Sequence, residues 1–559
     1  MISKPVVIYN NWSAYDELSD NVELTEELAM RQLDELLRLR GHGIRFDYYL
    51  MDAFWFAPDG GYRTWRKPHW PNGPDRWLEK CLANGIQPGL WVGTNGLCKL
   101  VPVPGWQDSL AANGSSMCLF DGGFLSHFTD SLQGYYDRGV RAFKFDFANF
   151  GAATPEAEAR YSPDEIFERN VAAFRGALSE FRERNPEALL LAYNGFGGEI
   201  GNTSVPMSKT VDEAWLTVFD SLYCGDPRPS DVPAMDFWRS KDIYSDHMVR
   251  YYEFNGIPLH RIDNCAFMIG TTGTCYKRGT AAWKGMLLLT LARGGWANFV
   301  YGNLELLDEV KAEWFARVQS MFLPMQANGC TRTFGGVPGR AEPYGYLSAD
   351  GSGSLCTVVN PSQCIAEIEV PEVGGQRGTV LFRDAGFAAQ VRGNVVTLGP
   401  EQLALVGHGG YASDEFDLGL QEDVIIPLDI QPIPASFAPD GKNSVSATTA
   451  APEAGDLRIV MRLLSSDERA VRISGGAPPA GTPMGQVLRI TARQQGRECP
   501  VEINYDKAIW SGLSWAVGEV KAANLAPREP VTIRCEYTHD AEARIEAAAY
   551  AVVHGGQCK

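Results

Sequence analysis

The feature that most limits how this chain can fold is the alternation of short apolar runs with amphipathic segments between Pro5 and Phe322. Such alternation is typical of a parallel sheet built from βα units. Eight apolar runs are predicted to be strands, and eight strands close a (β/α)₈ barrel. The predicted strands are Val6–Trp12, Tyr48–Trp55, Gln87–Val92, Val140–Phe147, Leu189–Asn194, Met235–Ser240, Arg261–Met268 and Trp296–Tyr301.

The segments between these strands carry helix start signals. Thr25–Leu39 repeats leucine at helical spacing behind a threonine that can cap the helix, and acidic residues fill its first turn. Ser162 and the proline after it open the helix predicted at Ile166–Phe181. Trp283–Leu291 and Leu306–Phe322 are predicted to be the last two helices of the barrel.

After the predicted barrel the pattern changes to short alternating runs bounded by glycine, proline and asparagine, which is typical of antiparallel sheets. Because 559 residues are too many for one hydrophobic core, we expect several domains. The predicted fold class is therefore α/β: a (β/α)₈ TIM barrel at residues 1–325, a β-sandwich domain at 326–410 and a second all-β domain at 411–559.

Composition and charge exclude several kinds of partner. The net charge is −18 and the basic residues form no block, so nucleic acid and anionic membranes are poor partners. No apolar run approaches the ~20 residues of a membrane-spanning helix. The twelve cysteines lack zinc-site spacing, so we predict reduced core thiols and no metal. The first residues lack a signal-peptide core, which favours a cytoplasmic protein, or a secreted one whose signal peptide was removed.

The predicted strand Val140–Phe147 carries a lysine and an aspartate two residues apart. Side chains alternate along a strand, so Lys144 and Asp146 should share one face, opposite the flanking phenylalanines. Burying such a pair costs several kcal/mol unless the charges pair or meet a polar ligand. The pair is therefore a candidate catalytic centre, and a salt bridge with a purely structural role is the alternative.

Several predicted strands end in polar or aromatic residues. In a (β/α)₈ barrel the active site lies at the carboxyl ends of the strands, so this distribution indicates a catalytic barrel. The strand-end residues are Asn10, Asn11, Trp12, Asp52, Asn95, Asp146, Asn149, Asn194 and Asp242.

Five motifs resemble, in order and spacing, the barrel of the α-galactosidase (melibiase) clan, families 36 and 27 of the glycoside hydrolases. They are Asn10–Tyr15, Tyr49–Trp55, Gly89–Val92, Phe143–Phe147 and Trp238–Ile243. The resemblance covers roughly the first three hundred residues and a small β-domain after them. It implies that Asp146 is the nucleophile and that Asp242, after the sixth strand, is the general acid/base.

The predicted sugar-binding residues combine strand-end polar groups with tryptophans. Indole rings stack on the C–H face of sugars, although tryptophan is also a common core residue. The predicted set is Trp12, Asp52, Trp55, Trp91, Lys144, Asn194 and Arg239.

The chain departs from the resembled family where the sugar would be recognised. The family typically has two adjacent aspartates after the second strand, and here they are Asp52 and Ala53. The natural sugar is therefore expected to differ from galactose around C4–C6, because hydroxyl-recognising sites discriminate strongly. Arg239 lies one residue closer to Asp242 than in some relatives, which makes Asp246 a reserve acid candidate.

A proline-rich loop, Gly225–Pro233, precedes the predicted sixth strand. Loops of this kind over a barrel mouth often act as lids, and an ordinary connection is the alternative. Its Asp226 and Asp231 could shape a subsite.

Together these features predict a retaining, exo-acting α-glycosidase that removes a terminal α-linked galactose or a related sugar by double displacement, without a cofactor. A transglycosylase of the raffinose-synthase kind would share the carboxylate pair. The alternative from another class is a carbohydrate-binding protein on a decayed barrel. The expected partner is an oligosaccharide or glycoside, and formation of a homo-oligomer stays open.

Overall fold

The structure is a computed structural model of the chain. It describes residues 1–12, 24–53, 55–196, 212–224, 243–265, 267–270, 282–338, 341–371, 373, 375–425, 427–464, 488–503, 515–538 and 543–554.

The first part of the chain forms one eight-stranded sheet in which every paired strand runs parallel to its neighbours. The strand order is β6-β5-β4-β3-β2-β1-β8-β7. A parallel bridge from Leu222 of β6 to Ile262, six residues before β7 begins, brings the two ends of this order together, so the predicted (β/α)₈ barrel is confirmed. The strands are β1 (Val6–Asn10), β2 (Tyr48–Met51), β3 (Gln87–Gly93), β4 (Ala142–Asp146), β5 (Leu189–Ala192), β6 (Ser221–Leu222), β7 (Met268–Ile269) and β8 (Ala297–Gly302).

Helices connect these strands, and the predicted caps are present. The Thr25 side chain accepts a hydrogen bond from the Leu28 N–H, and Ser162 forms a capping box with Glu165. None of the described helices is both long and apolar enough to span a membrane. The helices are α1 (Glu26–Gly41), α2 (Asp75–Ala83), α3 (Phe124–Asp137), α4 (Pro155–Glu158), α5 (Pro163–Arg184), α6 (Ile243–Phe254), α7 (Trp283–Ala292) and α8 (Glu309–Ala327).

The sixth barrel strand lies earlier in the chain than predicted. The structure places β6 at Ser221–Leu222, beside β5, whereas the predicted Met235–Ser240 lies outside the described residues. The sequence around β6 is interrupted by Asp220, which does not fit the pattern of a buried strand. Its carboxylate is nevertheless satisfied, because it accepts hydrogen bonds from Arg182 at 2.7 Å and from the Leu190 N–H at 2.8 Å.

Two antiparallel layers follow the barrel. One sheet has the order β17-β13-β16-β11-β10-β9 and the other the order β12-β15-β14. Strand β17 joins its sheet in parallel with β13, so this sheet extends beyond the predicted domain boundary at residue 410. The strands are β9 (Thr331–Gly335), β10 (Tyr344–Ala349), β11 (Gly353–Asn360), β12 (Ala366–Glu369), β13 (Gly378–Ala385), β14 (Gln390–Arg392), β15 (Val395–Leu398), β16 (Gln402–Gly409) and β17 (Gly419–Ile425).

The last part of the chain is a β-sandwich. Its two five-stranded sheets have the orders β18-β27-β21-β25-β24 and β19-β20-β26-β22-β23, and apolar residues of both share one core. The strands are β18 (Pro427–Ile433), β19 (Ala438–Pro439), β20 (Ser444–Ala450), β21 (Asp456–Leu464), β22 (Leu488–Gln494), β23 (Arg497–Cys499), β24 (Glu502–Ile503), β25 (Trp515–Val520), β26 (Pro530–Tyr537) and β27 (Arg544–His554).

A buried guanidinium connects this sandwich to the layers before it. Arg458 of β21 lies 2.7 Å from Glu519 of β25 and 3.1 Å from Glu401, which directly precedes β16. All three side chains are almost completely buried. Gln363 also accepts from Arg458 at 3.2 Å and donates to Glu401 at 2.7 Å. Charge-assisted hydrogen bonds of this kind fix the geometry of an interface.

Candidate active site

Strand β4 presents its two charged side chains to the barrel interior. Phe143 and Phe145, on the opposite face, pack against Phe181 and Phe174 of α5 at centroid distances of 5.7 and 5.9 Å. Lys144 and Asp146 therefore point inward by strand alternation, and they are only 4% and 7% exposed. Asp146 is the last residue of β4, at the carboxyl end of the strand where barrel enzymes place their catalytic groups.

Hydrogen-bond donors surround Asp146. Its Oδ2 accepts from the Trp91 indole N–H at 3.1 Å. Its Oδ1 accepts from the Asn194 side-chain amide at 2.9 Å, from the Phe147 N–H at 2.9 Å and from the Asn194 N–H at 3.2 Å. An ionised carboxylate is the strongest acceptor for such donors. These donors fix the side chain in position and favour its ionised form, which is the form a nucleophile requires.

Lys144 forms its ion pair with Asp52, across 2.8 Å from β4 to the end of β2. Its ammonium also lies 4.2 Å from the centroid of the Tyr193 ring, within range of a cation–π interaction. A backbone hydrogen bond from the Asp52 N–H to Asn11 Oδ1, at 2.8 Å, orients Asp52. The second Asp52 oxygen accepts from the Ala53 N–H at 2.8 Å. Residues carried by four strands, β1, β2, β4 and β5, therefore meet at one edge of the barrel.

The backbone turns sharply after Asp146. Phe147 adopts φ +50°, a left-handed conformation that is uncommon for an aromatic residue, and its side chain is 48% exposed. The turn is held because the Thr94 N–H donates to the Asp146 carbonyl at 2.6 Å and the Gly96 N–H to the Phe147 carbonyl at 3.2 Å. The loop after β3 thus fixes the backbone beside Asp146, and the Phe147 ring stands exposed next to it.

A cysteine that the sequence did not single out lies close to this carboxylate. Burial, together with the negative charge of Asp146, raises the pKa of the Cys98 thiol to about 12. Cys98 therefore stays protonated at neutral pH and is not a nucleophile in this site.

The predicted tryptophans occupy different depths. Trp91 is buried and contacts Asp146 through its indole N–H, and Trp12 is partly exposed at the end of β1. Trp55 is completely buried, donates to the Trp91 carbonyl at 2.8 Å and packs 4.7 Å from the Trp65 ring. Trp55 therefore supports Trp91 from behind, a position that favours a packing role over the predicted sugar contact.

Comparison with known proteins bears on the fold. No family model matches the chain, and neither does any curated protein. The family 36 α-galactosidase AgaB from Geobacillus stearothermophilus matches with a TM-score of 0.51 and 14% identity, over 72% of this chain and 55% of that chain. The α-galactosidase from Lactobacillus brevis matches with a TM-score of 0.51, 11% identity and the same coverage. A variant of AgaA, an α-galactosidase from Geobacillus stearothermophilus, in complex with stachyose, matches at 0.50 and 14%, again over 72% and 55%.

This chain has the fold of the family 36 α-galactosidases. It spans about 55% of the length of each of these solved chains. At this level of identity, the likeness to these solved structures shows the fold alone.

Within this α-galactosidase fold, Asp246 is enclosed by other residues. It lies in the first turn of α6 and is completely buried. Its Oδ1 accepts from Arg293 and from the Tyr346 hydroxyl, each at 2.7 Å, and its Oδ2 accepts from the Tyr344 hydroxyl. Both carboxylate oxygens therefore accept hydrogen bonds from side chains at the end of α7 and in β10. These contacts favour a structural role for Asp246 over the reserve hypothesis that it is the catalytic acid, because both oxygens are bound by neighbouring side chains.

The predicted acid/base Asp242 and the predicted sugar ligand Arg239 lie outside the described residues, as do Asp226 and Asp231. The observed position of β6 nevertheless changes which carboxylate is the first to follow the sixth strand in the sequence. Since β6 ends at Leu222, the first carboxylate that follows the sixth strand in the sequence is Asp226, four residues later. Asp242 directly precedes α6.

Sequence reasoning missed three buried residues of the barrel interior, two tyrosines and an aspartate. The Tyr193 and Tyr301 hydroxyls are 2.8 Å apart, beneath Lys144. Asp263 is completely buried near them. Burial raises its pKa to about 7, although the Cys224 N–H, the Cys265 thiol and the Lys144 charge oppose the shift. The only sequence signal for Tyr193 was its place at the end of the fifth strand.

Proposed function

We propose that this protein is a retaining glycoside hydrolase acting on a terminal α-linked sugar, with galactose or a related sugar at the reactive position. One observation carries the proposal: the Asp146 carboxylate is fixed by side-chain and backbone N–H donors at the carboxyl end of β4, beside the buried Lys144–Asp52 ion pair. Folding alone does not require three charged residues at this edge, because burying them is costly.

In the proposed reaction Asp146 attacks the anomeric carbon and forms a covalent glycosyl-enzyme as the leaving oxygen takes a proton from a second carboxyl group. That group, then a carboxylate, activates water for the second displacement. Trp91 and Asn194 hold Asp146 at both oxygens, so the attacking atom needs little reorientation.

The general acid is proposed to come from the chain between β6 and α6, at Asp242 or Asp226. A retaining enzyme needs the two carboxyl groups about 5 Å apart. The resemblance of the Trp238–Ile243 motif supports Asp242, whereas the position of β6 supports Asp226.

Sugar hydroxyls are proposed to bind the Lys144–Asp52 pair. Its ammonium and carboxylate offer both donors and acceptors, and the pair is held by Asn11 and Tyr193. An oligosaccharide substrate is consistent with the stachyose complex of the AgaA variant. The Trp12 ring and the exposed Phe147 ring are proposed to stack on the bound sugar.

A panel of nitrophenyl α- and β-glycosides, including pentopyranosides and N-acetylgalactosaminides, tests this proposal. We expect hydrolysis of an α-glycoside, with proton NMR showing that the first-formed sugar keeps the α configuration. Asp146→Asn should lose turnover by roughly a thousandfold or more, whereas Asp108→Asn, a matched change at an exposed site, should not.

Three other outcomes would contradict the proposal. Sugar transfer to an added acceptor without hydrolysis would identify a transglycosylase. Sugar binding without turnover would identify a binding protein on the barrel. A first-formed product of β configuration from an α-glycoside would show an inverting mechanism.

A further inference from the structure

The barrel is least well closed between β6 and β7. Each of these strands has two residues, and within the described chain a single bridge crosses this side of β6, from Leu222 to Ile262, six residues before β7 begins. By comparison, β3 and β4 pair over five residues from Gly89 to Gly93. This seam therefore has little backbone hydrogen bonding of its own.

Three potential metal ligands lie across the same seam. Cys224 lies just after β6. Asp263 and Cys265 lie on the other side of the seam, in the segment that precedes β7. One ligand atom from each of the three lies within 4.8 Å of the other two, and all three residues are buried. Elsewhere among the described cysteines, no other group of this kind contains two thiols.

The sulfur spacing suits a soft divalent cation. The two Sγ atoms are 3.6 Å apart. In a tetrahedral zinc site with Zn–S bonds of ~2.3 Å, the two sulfurs lie roughly 3.8 Å apart. The thiols are therefore near the separation that zinc imposes, although they are far apart in the sequence.

The carboxylate adds an independent indication. Asp263 Oδ1 accepts from the Cys224 N–H at 3.3 Å, but Oδ2 is buried and accepts no hydrogen bond of ordinary geometry within the part of the chain that is described. A buried carboxylate oxygen that is poorly hydrogen-bonded costs free energy. A cation between this oxygen and the two sulfurs would remove that cost.

The surrounding charges fit the same occupant. Two thiolates, one carboxylate and one divalent cation carry a net charge of −1 together. The Lys144 ammonium and the Arg293 guanidinium act on this cluster as positive neighbours. A thiol that coordinates a metal ion loses its proton and binds as the thiolate.

We propose that Cys224, Cys265 and Asp263 bind a zinc-class divalent cation that joins the end of β6 to the segment leading into β7. The bound ion would hold the barrel closed at this seam, where the described residues form few backbone hydrogen bonds. It would also fix the residue from which the chain leaves β6 toward the proposed acid. The inference does not depend on the proposed hydrolase activity.

The test uses the full-length protein produced in medium supplemented with zinc. Elemental analysis after exhaustive buffer exchange should find about one zinc per chain. Cys224→Ser, Cys265→Ser and Asp263→Asn should each lower this content at least tenfold. Cys81→Ser, at a buried thiol in α2, is the matched control and should keep it.

Cadmium substitution gives a second readout that does not depend on the stability of a variant. The wild-type protein, unfolded and refolded with cadmium, should show a thiolate-to-cadmium charge-transfer band in the ultraviolet, and its thermal unfolding should move to higher temperature. The proposal would be overturned if the wild-type protein from zinc-supplemented medium contained no zinc and the protein refolded with cadmium showed no charge-transfer band. So would zinc retained in full by the double variant C224S/C265S.

Discussion

The Nε atom of Arg293 lies 2.7 Å from Asp246 Oδ1, and both side chains are almost completely buried. The two tyrosine hydroxyls that also bind Asp246 belong to β10, outside the barrel. The pair therefore joins two barrel helices to the following domain, and it accounts for an acidic residue that the sequence placed among the catalytic candidates.

We predict that Asp246→Asn lowers stability and spares catalysis. Removing one partner of a buried ion pair costs about 3–5 kcal/mol because the other charge stays buried. Urea unfolding should show this loss, while turnover per folded molecule stays near that of the wild type. The double variant Asp246→Asn/Arg293→Met should regain part of the loss. A large drop in turnover with unchanged stability would return Asp246 to the active site.

Azide rescue should identify the nucleophile. In Asp146→Gly, azide can occupy the space of the lost carboxylate and attack an activated α-glycoside from that side. The expected product is the β-glycosyl azide, because one displacement inverts the anomeric carbon. NMR of the product distinguishes the two configurations. Recovery of an α-glycosyl azide would assign Asp146 to the acid/base role instead.

The same reagent separates the two acid candidates. We predict that Ala in place of the true acid, at Asp242 or Asp226, cripples substrates with poor leaving groups far more than activated aryl glycosides. With azide that variant should form the α-glycosyl azide, since the nucleophile is intact. The other variant serves as the matched control. Equal losses on both substrate types in both variants would place the acid elsewhere.

We predict that the side chain at position 53, now Ala53, affects which sugar the enzyme hydrolyses best. The Ala53 N–H already donates to Asp52 Oδ1, so an aspartate there would add a second acceptor beside the Lys144–Asp52 pair. We predict that the wild type is a poor hydrolase of nitrophenyl α-galactoside and that Ala53→Asp raises kcat/KM for it roughly ten- to a hundredfold. Ala53→Asn is the control without the charge. High wild-type efficiency on this substrate would show that another residue recognises the hydroxyl.

We predict that the carboxyl-terminal β-sandwich loses stability in acid because Glu519 becomes protonated. Burial opposes its ionisation, but hydrogen bonding from His554 and the charge of Arg458 outweigh burial and hold the pKa of Glu519 well below its ordinary value of 4.5. A lowered pKa in the folded state contributes stability above pH 4.5, and this contribution is lost progressively as the pH falls from 4.5 toward the lowered pKa.

Urea unfolding from pH 7 to pH 3 measures the effect of Glu519. The wild type should lose stability over the acid part of this range, and Glu519→Gln should start lower and change less. Glu502→Gln, at an exposed carboxylate on neighbouring β24, is the matched control. Identical pH dependence in the wild type and Glu519→Gln would contradict the assignment.

The sequence predicted what depends on local pattern. The alternation in β4 placed Lys144 and Asp146 on the interior face, and the caps at Thr25 and Ser162 placed two helix starts. It failed at β6, where the carboxylate of the buried Asp220 is satisfied by Arg182 from α5 and by the Leu190 N–H.

The candidate site, too, could be predicted from the sequence only where it depends on local pattern. Strand-end polarity identified Asp52 and Asn194, which do meet Lys144 and Asp146. No local pattern could show that Tyr193 and Tyr301, 108 residues apart, share a hydrogen bond, or that Cys224 meets Cys265. These contacts follow from barrel closure, which brings distant strands together only in the folded chain.

Arg458, between Glu401 and Glu519, has a consequence for how the carboxyl-terminal half melts. In an intermediate with only the sandwich detached, the ion pair between Arg458 and Glu401 across the domain boundary would be broken. That intermediate is disfavoured by several kcal/mol. The two β-domains should therefore unfold as one cooperative unit, with a single calorimetric transition where two independent domains would give two.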